Sequence, residues 1–119
     1  MTRLYLPATL HLLANLEQSG SLMVGNDAVR AADDSEDAEY AALMTAAETS
    51  AVLAAELDPG ERRRVVVVAE VPAPAASVSL SDVVAVHADA DDLPEDADPE
   101  DLEDLGWYAT QEIPDLLLG

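Results

Sequence analysis

Residues 62–72 read R-R-R-V-V-V-V-A-E-V-P, and the valines in this stretch limit what the chain can become. A strand with one wet face alternates apolar and polar residues, whereas a strand covered on both faces has no need to. Pro59-Gly60 stands before the run and Pro72 closes it, so Val65–Val71 reads as the central strand of a sheet with helices over at least one face.

The segments around it supply that cover. Arg3-Leu4-Tyr5-Leu6 reads as a short strand halted by Pro7, which also fits the first turn of a helix running to about Glu17. Gly20 is placed to end that helix. Leu22-Met23-Val24 reads as a short edge strand or an irregular segment, because Gly25-Asn26-Asp27 is strong turn chemistry. Asp33 with Glu36 three residues later resembles a capping box, opening a long helix that Asp58-Pro59-Gly60 stops. Tyr40, Leu43, Met44, Ala47, Ala51 and Ala54 form its apolar stripe.

Beyond the valine strand, residues 72–76 read as a stiff connector, and residues 83–88, V-V-A-V-H-A, as a second buried strand. Residues 89–104 hold ten acids and no base, an acidic solvated loop or short helix. Ile113, Leu116 and Leu117 then repeat at helical spacing, with Pro114 in the first turn, which predicts a tail that folds back onto the core. The element order predicts a single α/β or α+β domain over residues 1–119. Its form is a two-layer sandwich: a small mixed sheet of three or four strands, packed by one long helix and two or three short ones. A helical crossover would make the first strand parallel to the valine strand if both lie in one sheet.

Composition removes several function classes. There is no cysteine, so disulfides, thiol nucleophiles and cysteine-held metals are excluded. With 25 acids against five arginines and a net charge of −20, nucleic acid and anionic membrane surfaces are poor partners. GC-rich coding or adaptation to salt explains the acidity better than a dedicated ligand does. The start of the chain does not read as a signal peptide, and no apolar run reaches the length of a bilayer span, so a cytoplasmic location is expected.

Few residues point to chemistry. His87, Asp89 and Asp91 alternate, so on a strand they share a face and would form a ligand set for a divalent cation or a base with its orienting acid. The competing account has His87 ending a strand and the acids opening a solvated loop. Arg62-Arg63-Arg64 is the one basic cluster, at a strand edge. No Gly-rich phosphate loop and no G-x-S-x-G turn occurs, so no cofactor is indicated. Trp107 and Tyr108, in a chain without phenylalanine, read as aromatics packed on the core, with a partner anchor as the alternative.

Four segments together, residues 3–9 (R-L-Y-L-P-A-T), 62–72, 80–89 (L-S-D-V-V-A-V-H-A-D) and 104–116 (D-L-G-W-Y-A-T-Q-E-I-P-D-L), resemble a family of small uncharacterised proteins of high-GC Gram-positive bacteria, a domain of unknown function. The resemblance implies no activity and no catalytic residue. The expectation is an acidic protein-interaction module that leans away from catalysis, binding an unidentified protein or a second copy of itself. Its candidate binding residues are Trp107, Tyr108, His87, Asp89 and Asp91. The alternative is a small metal-dependent enzyme centred on His87, Asp89 and Asp91.

Overall fold

A computed structural model of the chain describes residues 2–25, 27–57, 61–71, 77–89 and 105–118. In chain order the described elements are β1 (Thr2–Ala8), α1 (Leu10–Ser19), β2 (Ser21–Met23), β3 (Val29–Arg30), α2 (Glu36–Ala55), β4 (Val65–Val71), β5 (Ser77–Ser79), β6 (Val83–Ala88), β7 (Gly106–Tyr108) and α3 (Ile113–Leu118). The main sheet has five antiparallel strands in the order β3-β1-β4-β6-β7, and β2 and β5 pair as a separate ribbon. The expected segments at residues 72–76 and 90–104 lie outside the described residues.

The valine run occupies the centre, as its pattern requires. Val65, Val67, Ala69 and Val71 enter one apolar cluster with Leu13 and Leu16 of α1, Ile113 and Leu116 of α3, and Val78 of β5. Val66 and Val68 enter a second cluster with Ala42, Ala46 and Ala47 of α2. Strand side chains alternate between faces, so the sheet is covered on both sides and the expected two-layer sandwich is in fact three layers. The tail that was expected to fold back does so, with Ile113 and Leu116 buried.

The expected parallel pairing of β1 and β4 is overturned: they are antiparallel over their whole length, from Thr2 opposite Val71 to Ala8 opposite Val65. The physical reason is β3, which lies antiparallel on the other flank of β1. It reverses the chain before the crossover. The two strands that run the same way and are joined by α2 are therefore β3 and β4, with β1 between them, a split β-α-β unit.

Local chemistry sets the boundaries. β1 continues through Pro7, where β3 has already ended and only β4 lies alongside. A residue with no N–H to donate fits a strand with a partner on one side only. Thr9 then caps α1, its Oγ1 accepting from the Leu12 N–H at 3.2 Å. Gly20 closes α1 at φ 81°, a left-handed conformation natural to glycine, and donates its N–H to the Leu16 carbonyl. α2 is capped by Ser35, which accepts from the Ala38 N–H, and not by the expected Asp33, which instead accepts from the Ser35 N–H. Its buried face also differs from the expected stripe. Apolar residues stand almost all round this helix, and its buried residues are all small, Ala42, Ala46, Ala47, Ala54 and the polar Ser50, which lets its backbone approach the sheet.

One end of the central ladder is held by polar groups. The buried Ser50 hydroxyl donates to the Ala8 carbonyl and accepts from the Val65 N–H, both at 2.7 Å, spanning the end of the β1–β4 pair. Next to it, Asp89 accepts from the Arg64 N–H and Nε through Oδ2 and from Nη2 through Oδ1, at 2.9, 2.9 and 2.7 Å. The Asp89 N–H returns to the Arg64 carbonyl at 3.1 Å. The pair is 4% and 10% exposed, so the Asp89 charge is compensated by Arg64 more than by water. At the opposite end of β6, Thr110 Oγ1 donates to the Val83 carbonyl and ties the segment before α3 to the sheet. Replacing one member of a buried ion pair strands the other charge, at about 3–5 kcal/mol. Arg64→Met should therefore lower the unfolding free energy by that much, read as a lower urea midpoint with an unchanged slope. Arg64→Met/Asp89→Leu should recover part of the loss, which a double-mutant cycle by urea denaturation measures.

Candidate functional site

On the α2 face the cover is unequal. α2 packs on β1, β3 and β4, and a cleft of about 390 Å³ lies between its N-terminal half and the β6–β7 side of the sheet. Its aromatic lining is Tyr5 from β1, Tyr40 from α2 and Trp107 from β7. These are three of the four aromatic side chains in the entire protein. Trp107, Tyr40 and Val84 are 61%, 55% and 40% exposed, whereas Leu43, Val68 and Ala85 form a more enclosed floor.

Strand register explains how these groups meet. Trp107 lies directly opposite His87, and Val86 opposite Tyr108. Alternation therefore sends Trp107 and His87 to the α2 face and Tyr108 to the other, where it packs against the α1–α3 cluster. The expectation of a core-packed Trp107 is overturned, because β7 presents it on the part of that face that α2 does not cover. A bulge contributes the third exposed group. Val68 pairs with Ala85 and Ala69 with Val83, which leaves Val84 as the extra residue of β6, directed into the cleft.

The charged rim is organised by Arg3. It donates to Glu70 Oε1 through Nη2 at 2.7 Å and Nε at 3.2 Å, and to Glu39 Oε1 through Nη1 at 3.2 Å, tying β1, β4 and α2 together. The hydrogen bond to Glu70, foremost, holds the guanidinium further above its ordinary value. Glu36, in the first turn of α2, adds a second rim carboxylate. Burial pushes the Tyr5 phenol up and the His87 imidazole down, so both favour their neutral forms.

Of the alternating set His87, Asp89 and Asp91, two members are described, and they have different partners. His87 enters the aromatic cleft, Asp89 is taken up by Arg64, and Asp91 lies outside the described residues. Among the described residues no group of three or more His, Asp or Glu side chains is placed to hold a metal ion. None of their helices is long and apolar enough to cross a membrane. The sequence placed Tyr40 in the apolar stripe of α2, whereas the side chain is largely exposed, and it did not single out Val84. A helix with apolar residues all round conceals which one points outward, and a bulge leaves no mark in a run of valines.

Residues 2–117 match a family described as a family of unknown function (DUF6912), and the chain belongs to it. No curated protein and no solved structure matches the chain.

His87 gives a pH signature to this arrangement. Its folded value lies below the ordinary ~6.5, so on acidification the unfolded chain takes up that proton before the folded protein does. The His87 contribution is thus absent above that range and destabilises the fold as pH falls through it. By NMR titration its midpoint should lie below that of free histidine and move back up in Trp107→Ala. His87→Gln should lose stability less steeply than the parent between about pH 7 and 5.

Proposed function

We propose that this protein is a non-catalytic binding module for another protein, with the Trp107 cleft as its contact surface. The observation that carries the reading is the concentration of Tyr5, Tyr40 and Trp107 in one cleft, with the single tryptophan more than half exposed. Burying an aromatic side chain removes about 150–250 Å² from water, so leaving an indole outside a core built from Leu, Val and Ala forgoes a large stabilisation. Tryptophan and tyrosine are also the residues that most often dominate protein interfaces. The edge position of β7 adds main-chain groups alongside them, since among the described residues it pairs with β6 alone. Extended peptides bind such edges by adding a strand. The metal-enzyme alternative has lost Asp89 to Arg64.

The test is affinity capture, from the cells that make the protein, on immobilised wild type, Trp107→Ala and Tyr40→Ala. Both variants are expected to melt close to the parent, because neither side chain is in the core. A specific partner should be retained by wild type and bind Trp107→Ala about thirtyfold more weakly, the effect of losing an interface hot spot of about 2 kcal/mol. Equal capture by all three proteins would remove the cleft from the interaction. A two-fold mass in light scattering that the Trp107→Ala substitution abolishes would name a second copy of the chain as the occupant.

A further inference from the structure

We propose that the occupant of this cleft is a basic, extended peptide segment, with an arginine side chain inserted between the Trp107 indole and the Tyr40 ring. The proposal rests on the reading of the cleft as a protein-binding surface and specifies the chemistry that the surface selects.

Three observations favour a cation. The first is the field of the whole molecule: a net charge of −20 draws basic segments in and repels acidic ones at long range. The second is the local balance. Among the described charged side chains lining the cleft, Glu36 and Glu39 stand against Arg3, and Arg3 is already engaged by Glu39 and by Glu70. His87 adds no compensating charge at neutral pH, because burial favours the imidazole without its extra proton. The cleft is therefore negative where an incoming cation would settle, with the Glu36 carboxylate at its rim.

The third is that the exposed Trp107 and Tyr40 line the same cleft as those carboxylates. A cation over an indole is attracted by the negative face of the ring, and the planar, weakly hydrated guanidinium stacks there better than an ammonium does. A neutral apolar side chain would use the rings but leave the carboxylates without a partner. An acidic one would be repelled by both the rim and the field. At about 390 Å³ the cleft is near the lower end of ligand-binding volumes, suited to one long side chain with its neighbours lying along β7.

Selection from a displayed library of random short peptides tests this, with wild type as target and Trp107→Ala, which carries the same net charge, as counter-target. The expected result is enrichment of peptides with a fixed arginine. Changing that arginine to citrulline, its neutral isostere, should weaken binding about tenfold, equivalent to about 1.4 kcal/mol. Glu36→Gln should weaken it severalfold, while Glu48→Gln on the exposed side of the same helix should leave it unchanged. Enriched peptides without basic residues, or citrulline peptides that bind as well, would overturn the cationic specificity and leave the protein-binding role intact. Basic peptides that bind wild type and Trp107→Ala equally would show attraction to bulk charge only and overturn the proposal. No enrichment at all, alongside a native partner captured through Trp107, would also refute it while sparing the broader reading.

Discussion

Because β4 places valine on both of its faces, the sheet that contains it needs cover on both sides. Most of the architecture follows from meeting that requirement with few large side chains. One face is served by α1 and α3, whose leucines and isoleucine interlock with the odd-numbered residues of β4. The other is served by α2, which reaches Val66 and Val68 with alanines and so lies close to the strands. A single helix covers only part of a five-stranded sheet. α2 spends its length on β1, β3 and β4, and the β6–β7 side is left to groups that tolerate water.

The polar groups that fix this arrangement include Asp89, one of the residues the sequence offered for chemistry. The ladder ends where Val65 meets Ala88, and the next residues, Arg64 and Asp89, share one main-chain hydrogen bond, one from the Arg64 N–H to the Asp89 carboxylate, and two between their side chains. Both oxygens of this carboxylate are occupied by Arg64. Ser50 performs a similar task one strand over, supplying a donor and an acceptor where two strands part. On the α2 face the cleft combines exposed aromatic side chains with the carboxylates of Glu36 and Glu39.

Much of the sheet was legible in the sequence because its signals are local. The valine run, the V-V-A-V-H-A strand and the Ile113-Leu116-Leu117 stripe each state their own burial. What was not legible depends on pairing. A two-residue strand such as β3 has no periodicity, yet its presence changes β1 and β4 from a parallel to an antiparallel pair. The side of the sheet that receives Trp107 is decided by its register with His87, a property of two strands about twenty residues apart. In α2 the apolar residues that outnumber its needs hid the exposure of Tyr40. The cleft is thus made by relations between elements, none of which a single segment announces.

The account depends above all on the largest apolar side chain of the protein lying outside its core. The most direct measurement is acrylamide quenching of the fluorescence of Trp107, the one tryptophan, in dilute folded protein across a range of concentrations. The account predicts quenching close to that of a free indole, a water-like emission maximum, and no dependence on protein concentration in the dilute limit. A blue-shifted emission protected from quenching at every concentration would bury Trp107 within its own chain and contradict the account.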